Sequence, residues 1–184
     1  MSAYMNETRK IRERMTFLKS LPDYNSDDVK WGTSPGDKDF FEICKNKLKE
    51  YPIKTVLDVA CGRGEFIGTC NKEGFVAYGI DPVNSGNDIY AGTFESLINA
   101  QSVPIIDCVT IHNVLHGRGH SKKTILGLFD FFRNHSKYIV ITEPDYKKMG
   151  LPILTNKFEL LHTFSGSHGG KSAIHKLYKV KGEF

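Results

Sequence analysis

Two acidic residues and two glycines stand near the ends of short apolar runs. Asp58 lies near the end of the run at residues 55–60, and Gly62 and Gly64 follow it at once. Glycine lets a ligand approach the backbone without meeting a Cβ atom, and a helix starting there offers N–H groups. A carboxylate at a strand end can hold a cationic amino group through a charge-assisted hydrogen bond. The pattern predicts a site for a ligand that carries an amino group.

A second acid, Asp81, ends the next apolar run, 17 positions after Gly64. An acid at this place can accept hydrogen bonds from both hydroxyls of a ribose, and ligands of parallel sheets bind at the carboxyl edge. A dinucleotide fits less well, because the GxGxxG fingerprint needs a third glycine where this chain has Ile67. Asp58 would also repel a pyrophosphate, whereas it suits an ammonium group.

Short apolar runs separated by helical segments predict the scaffold that holds these residues. The runs are continuous and β-branched, which is typical of strands buried on both faces of a parallel sheet. They cover residues 55–60, 76–80, 89–91, 107–111 and 138–142. Helices fit between them at residues 65–73, 94–100 and 121–135. The alternation of strand and helix predicts a doubly wound α/β fold.

Both ends of the chain depart from this alternation. Residues 6–20 and 37–49 carry apolar residues at helical spacing and predict two amphipathic helices. Residues 158–164 and 173–180 predict two strands of a closing antiparallel hairpin, joined by a glycine-rich turn.

We divide the chain into two parts on this basis. Residues 1–36 are predicted to form an N-terminal helix and a lid-like segment, and residues 37–184 the ligand-binding domain.

The composition of this chain of 184 residues limits the kinds of partner that it is expected to bind. It is 40% hydrophobic and 25% charged, and its apolar runs are far shorter than the roughly 18 residues that span a bilayer. The N-terminus lacks a signal-peptide pattern, and the four cysteines show no CxxC pairing. We therefore predict a cytoplasmic protein with no membrane partner. The net charge of +4 permits a nucleic-acid partner without favouring one.

These segments together resemble the class I S-adenosylmethionine-dependent methyltransferases. LDVACGRGEF, residues 57–66, is similar to the family's first motif, and AYGID, residues 77–81, to its second. DCVTIHNVLHG and YIVITEP resemble its fourth strand and its fifth strand with the exit, and the hairpin resembles its last two strands. The resemblance implies a Rossmann-like, mostly parallel sheet and S-adenosyl-L-methionine as the cofactor.

The resemblance also implies a set of cofactor-binding residues. They are Asp58, Ala60, Cys61, Gly62, Gly64, Asp81, Pro82, Thr93, Phe94, His112 and Asn113. In this set, Asp58, Gly62 and Gly64 would line the methionine end of the cofactor, and Asp81 would bind the ribose.

The remaining members of the set follow later strands. Thr93 and Phe94, after the third strand, would lie near the adenine, although the acidic residue common there in the family is missing. His112 and Asn113 would stand at the exit of the fourth strand, beside cofactor and acceptor.

One segment departs from the family. A helix usually joins the second and third strands, but only residues 82–88 are available here. Seven residues can cross extended at about 3.3 Å each but cannot also form a packed helix. We predict that this helix is missing or reduced to a turn, with the N-terminal segment or a partner chain covering the bare patch.

Candidate catalytic residues follow the fourth and fifth strands. Methyl transfer from a sulfonium is an in-line displacement, so alignment supplies most of the rate, and a base is needed only for a protonated acceptor. His116 is the first choice for that base, with Glu143 as a second candidate. Each fits a purely structural hydrogen bond as well. Trp31 and Asp145 are candidates for binding the acceptor.

The four-residue spacing of His112, His116 and His120 also fits a metal site on a helix. Gly117 and Gly119 interrupt any helix that would align the three rings, so no metal is predicted.

Three functions remain open at this point. The compact size and the segment HNVLHG favour a methyltransferase acting on O, N or C of a small molecule. The basic clusters allow an RNA or cap methyltransferase instead, whereas the [DN]PP[YF] string of DNA amino-methylating enzymes is absent from the fourth strand. The short second connection gives weight to a non-catalytic S-adenosylmethionine-binding subunit that supports a partner.

Overall fold

A seven-stranded sheet forms the centre of the protein. The computed structural model describes residues 9–10, 12–13, 15–20, 38–82, 86, 88–112, 114, 120–142, 157–168 and 171–182. The strands are β1 (Thr55–Val59), β2 (Val76–Asp81), β3 (Ile89–Ala91), β4 (Ile106–His112), β5 (Ser136–Thr142), β6 (Phe158–His168) and β7 (Lys171–Val180). Their order across the sheet is β3-β2-β1-β4-β5-β7-β6.

The first five strands run parallel, and β7 pairs antiparallel with both β5 and β6. Every residue of β1 and β2 is buried, as expected for continuous apolar strands covered on both faces. The predicted Rossmann-like, mostly parallel sheet with an antiparallel C-terminal strand is confirmed.

Helices cover both faces of the sheet. They are α1 (Lys38–Lys49), α2 (Glu65–Lys72), α3 (Phe94–Ile98), α4 (Lys122–His135) and a 3-10 helix (Met15–Ser20). The apolar residues of α1 and α2 pack with alternate residues of the central strands, such as Val56 and Cys108. Those of the 3-10 helix, α3 and α4 pack with the opposite set, such as Leu57 and Val109. Within these described ranges, none of the helices combines the length and the apolarity needed to cross a membrane.

The connection between β2 and β3 is short, as predicted. Of the residues described in it, Pro82, Gly86 and Asp88, none is helical, and Gly86 forms an antiparallel bridge with Ile89. The two backbone hydrogen bonds of this bridge close a tight turn directly before β3.

The N-terminal 3-10 helix packs into the core on the β2 side. Met15 and Leu18 are buried in the same apolar cluster as Tyr78 of β2. Arg12 is close enough for its charge to act on the Tyr78 phenol, whose pKa burial raises to about 12. A right-handed crossover from β2 to β3 would place its helix on the same face as α2, because β3 continues the step from β1 to β2 across the sheet. The 3-10 helix packs on the opposite face, so the described N-terminal residues do not cover that patch. The division of the chain at residue 36 stays a prediction.

The C-terminal hairpin differs from its predicted form. Its strands extend to His168 and from Lys171, so most of the predicted glycine-rich turn is strand. Only residues 169–170 separate the two strands, which is the commonest length of a hairpin loop. The prediction was wrong because small Ser and Gly residues were taken as loop, whereas an antiparallel partner lets them continue the ladder to the two glycines.

Candidate functional site

The turn between β1 and α2 folds sharply because three of its residues have positive φ. These φ angles are 60° at Ala60, 57° at Gly62 and 75° at Gly64. Glycine adopts this region without steric cost, while an alanine there is strained. The Cys61 N–H donates to the carbonyl oxygen of Ile80 at 3.0 Å, which holds the turn against β2.

Asp81 and the glycine turn form one unit. The Gly62 N–H donates to Oδ2 of Asp81 at 2.9 Å, and Asp81 is only 7% exposed. The Asp81 carbonyl oxygen accepts from the Gly92 N–H at 3.2 Å, which ties β2 to the end of β3. A Cβ atom placed on Gly62 would meet nothing within 4 Å, so there is open space beside the turn. A ligand can therefore approach the backbone within reach of a fixed carboxylate.

Gly79 of β2 allows the turn to lie this close. A Cβ atom at Gly79 would stand 2.4 Å from Cys61 Sγ and 2.3 Å from Ile67 Cδ1. Burial raises the pKa of the Cys61 thiol, and the charges of Asp58 and Asp81 raise it further. The thiol therefore stays protonated and fills space against β2, as expected for a residue that is not a nucleophile.

Asp58 lies in β1 and is 2% exposed. Thr110 Oγ1, on the neighbouring β4, donates to Asp58 Oδ1 at 2.7 Å. Burial raises the pKa of Asp58 to about 7, with the Thr110 hydrogen bond opposing and the charge of Asp81 adding to the rise. The carboxyl is thus divided between its two protonation states near neutral pH. A cation arriving next to it would favour the ionised state.

His112 ends β4 directly beside Asp58. Its Nε2 lies 3.6 Å from Asp58 Oδ1, and the Phe66 ring meets the imidazole edge-on with centroids 5.2 Å apart. On the other side of the ring, His112 Nδ1 lies 3.0 Å from Thr142 Oγ1, which in turn lies 2.6 Å from His175 Nδ1.

The structure places the predicted adenine-side residues at the start of α3. Thr93 is the N-cap: its Oγ1 accepts from the Ser96 N–H at 3.2 Å, and the Thr93 N–H donates to Ser96 Oγ at 2.8 Å. Phe94 is 5% exposed, and its ring lies 4.6 Å from that of His120. Both residues therefore have structural roles besides any contact with a ligand.

Several predicted site residues lie outside the described residues. They are Trp31, Asn113, His116, Glu143 and Asp145. Their roles, like those of the other predicted site residues, stay predictions. Among the described ones, Pro82 follows Asp81 and is half-buried.

Sequence reasoning missed three polar residues of this region. Thr110 was recognisable as a polar residue within an apolar strand, and it lies in register with Asp58. Thr142 and His175 carried no such signal, because their partners come from other parts of the chain. His120 was considered only as a metal ligand, whereas its ring packs against Phe94.

Comparisons with known proteins agree with this architecture. No protein-family model matches the chain, and no curated protein matches its sequence significantly. Among solved structures, the chain is similar to the N-methyltransferase NodS from Bradyrhizobium japonicum WM9, crystallised with S-adenosyl-L-homocysteine. That match has a TM-score of 0.59 at 11% identity and covers 92% of this chain and 99% of NodS.

Two further solved structures share the fold. The methyltransferase domain of bacterial CtHen1 matches with a TM-score of 0.61 at 11% identity, over 77% of this chain and 97% of that domain. The magnesium protoporphyrin IX methyltransferase ChlM from Synechocystis PCC 6803, with bound S-adenosylmethionine, matches with a TM-score of 0.53 at 13% identity. It covers 98% of this chain and 100% of ChlM. The chain therefore has the fold of the class I methyltransferases.

Proposed function

We propose that this chain is an S-adenosylmethionine-dependent methyltransferase acting on a small-molecule acceptor. The observation that carries the proposal is the unit of Gly62 and Asp81, in which a fixed carboxylate borders an open glycine turn. The solved structures with the same fold include proteins crystallised with S-adenosyl-L-homocysteine or S-adenosylmethionine, which supports this cofactor.

The residues at the carboxyl edge fit the parts of this cofactor. Asp81 is held at the end of β2, where an acid can accept from ribose hydroxyls. Asp58, buried and close to its titration point, suits the ammonium of the methionine part, because a cation stabilises the carboxylate that burial disfavours. The open side of Gly62 leaves space for the link between the two parts.

The bound cofactor would supply a methyl group already activated on a sulfonium. What the chain must add is alignment of donor and acceptor and the exclusion of water. The turn from Ala60 to Gly64 is rigidly tied to β2 and so suits alignment. If the acceptor loses a proton, His116 remains our candidate for the base, with Glu143 second; Trp31 and Asp145 remain candidates for acceptor binding.

Two observations support a small-molecule acceptor. The chain and ChlM cover one another almost completely, and ChlM acts on a porphyrin. The net charge of +4 is also modest for a protein that must bind the phosphates of RNA.

Calorimetric titration with S-adenosyl-L-homocysteine tests the cofactor assignment. We expect Asp81→Asn to weaken binding by about 10- to 100-fold, because hydrogen bonds to a charged group are worth about 1.5–3 kcal/mol. The amide oxygen can still accept from Gly62, so the turn should persist. Asp130→Asn, an exposed change on α4 whose native carboxylate pairs with Lys157, is the matched control and should bind like the native chain.

Equal affinities of Asp81→Asn and the native chain would refute the ribose assignment. An absence of binding by the native chain would refute the proposed function as a whole.

Transfer of a labelled methyl group separates the candidate functions. The purified chain is incubated with methyl-labelled S-adenosylmethionine and either the small-molecule fraction or the RNA fraction of a cell extract. We expect label in the small-molecule fraction. Label in RNA that falls steeply with added salt would favour the RNA alternative. Cofactor binding without transfer to either fraction would favour a non-catalytic subunit.

A further inference from the structure

A row of polar side chains crosses the middle of the sheet and reaches His112. His112 of β4 is in register with Thr142 of β5, and Thr142 is in register with His175 of β7. Thr142 is 1% exposed and His175 is fully buried. The row ends at Phe164 of β6, whose ring stacks on His175 with centroids 5.2 Å apart.

The threonine hydroxyl has a single proton, and that proton orients the whole row. Thr142 Oγ1 lies within hydrogen-bond distance of Nδ1 of both imidazoles, but it can donate to only one of them. An imidazole that does not receive this proton must carry its own proton on Nδ1 and donate it to the hydroxyl oxygen, which has two acceptor lone pairs. At least one of the two histidines therefore donates from Nδ1.

The two distances favour donation by the hydroxyl to His175 and donation by His112 to the hydroxyl. Hydroxyl donors make shorter hydrogen bonds than N–H donors, which centre near 2.9–3.0 Å. The contact of 2.6 Å to His175 fits O–H donation from Thr142 to His175 Nδ1. The contact of 3.0 Å to His112 fits N–H donation from His112 Nδ1 to Thr142. His112 then keeps its proton on Nδ1.

This orientation decides what His112 presents to the candidate cofactor site. With its proton on Nδ1, His112 presents the lone pair of Nε2 toward Asp58 Oδ1, 3.6 Å away, an arrangement that suits the protonated Asp58 carboxyl better than the carboxylate. Phe66 of α2 packs against the edge of the ring, so the imidazole is held from α2 as well as from β5. Because the ring is held on two sides, a flip of the imidazole that would exchange the positions of Nδ1 and Nε2 is disfavoured.

We propose that Thr142 and His175 are positioning residues that fix His112 as its Nδ1–H tautomer, with Nε2 directed at Asp58. The proposal deepens the proposed function, because it rests on His112 and Asp58 bordering the cofactor. His175 is fully buried and acts on His112 through the threonine hydroxyl. The chain thus controls the hydrogen-bonding character of its site from a buried residue of the C-terminal hairpin.

Nitrogen-15 NMR of the histidine rings tests whether the Thr142 hydroxyl fixes the tautomer of His112. Long-range correlations show which ring nitrogen carries the proton, and they need neither cofactor nor acceptor. Thr142→Val removes the hydroxyl at nearly constant size, and Thr142→Ser keeps it. Because one hydrogen bond contributes about 1 kcal/mol, the Nε2–H fraction of His112 should rise about fivefold in Thr142→Val. It should stay near the native value in Thr142→Ser.

His175→Phe tests the far end of the row and keeps an aromatic ring against Phe164. Without an acceptor at position 175, the Thr142 hydroxyl can turn and donate to His112 Nδ1, so His112 should change to the Nε2–H tautomer. A merely structural role of His175 would leave the tautomer unchanged. If this buried substitution prevents folding, the pair of Thr142 variants still decides the proposal.

An unchanged His112 tautomer in Thr142→Val would overturn the proposal, as would a native Nε2–H tautomer. Titration of the same native sample with S-adenosyl-L-homocysteine keeps the two claims apart. A native chain that shows the Nδ1–H tautomer but binds no S-adenosyl-L-homocysteine would refute the proposed function. It would still support the positioning of His112 by Thr142 and His175.

Discussion

Replacement of Asp58 by Asn should stabilise the protein above neutral pH. The native carboxyl is buried in β1, and its pKa of about 7 compares with an ordinary value of 3.8. Ionisation therefore costs more in the folded chain than in the unfolded chain. At about 1.36 kcal/mol per pKa unit, the full difference is on the order of 4 kcal/mol. Asn keeps an oxygen that can accept from Thr110 and carries no charge.

The sign of the pH dependence follows from proton binding. Between pH 4 and pH 7 the folded chain holds a proton on Asp58 that the unfolded chain has released. The free energy of unfolding then falls by about 1.4 kcal/mol for each unit that the pH rises. The stabilising contribution is complete below pH 3.8 and is lost as the pH passes through 7. Between pH 5 and pH 8, this group should lower native stability by about 2–3 kcal/mol.

Urea unfolding at pH 5, 6, 7 and 8 measures the effect in the native chain and in Asp58→Asn. The difference in unfolding free energy should shift in favour of the variant by about 2–3 kcal/mol across this range. Asp107→Asn is the matched control. Burial would raise the pKa of Asp107, but the Lys137 ammonium and the N–H groups of Lys54 and Thr55 hold it below its ordinary value. The unfolding free energy that is lost in Asp107→Asn should therefore be similar at every pH tested.

Parallel stability curves for the native chain and Asp58→Asn would refute this reasoning. They would mean that water reaches the carboxyl and that it titrates like an exposed acid.

The glycine turn and its surroundings give two further predictions, both measured as changes in unfolding free energy. Gly79→Ala should cost about 1–3 kcal/mol, because the added methyl would overlap Cys61. Gly68 is exposed within α2, and a Cβ atom there would meet nothing within 4 Å, so Gly68→Ala should instead gain about 0.5–1 kcal/mol. Losses of equal size in both would contradict the close approach of turn and strand. Ala60→Gly should gain up to about 1 kcal/mol, since relief of the left-handed strain outweighs the added freedom of the unfolded chain. A loss would show that the alanine methyl makes a needed contact.

The parts of the fold that could be predicted are those specified locally. Strands β1, β2, β4 and β5 are nearly continuous apolar runs, because burial on both faces removes the need for alternation. The short second connection was predictable because seven residues are too few for a packed helix. Gly62 and Gly64 could be assigned to a turn because the spacing and the residue type both act over a few positions.

The parts that could not be predicted depend on strands distant in sequence. Asp58 was recognised as an acid at a strand end, but its state depends on Thr110, 52 positions away on β4. Likewise, His112 was assigned to the site, while the row through Thr142 exists only because β7 inserts beside β5. The hairpin was underestimated because glycine and serine have low strand propensity, which an antiparallel partner overrode.

The order of strands across the sheet also sets a sequence of events during synthesis. In the described part of the chain, β6 pairs only with β7, although the ribosome makes β6 first. β6 thus stays unpaired after synthesis, with its backbone donors and acceptors solvated, until β7, which lies between β5 and β6, has also been synthesised. β7 also delivers His175, so the interior of the sheet beside His112 is filled in the same step that joins β7 to β5.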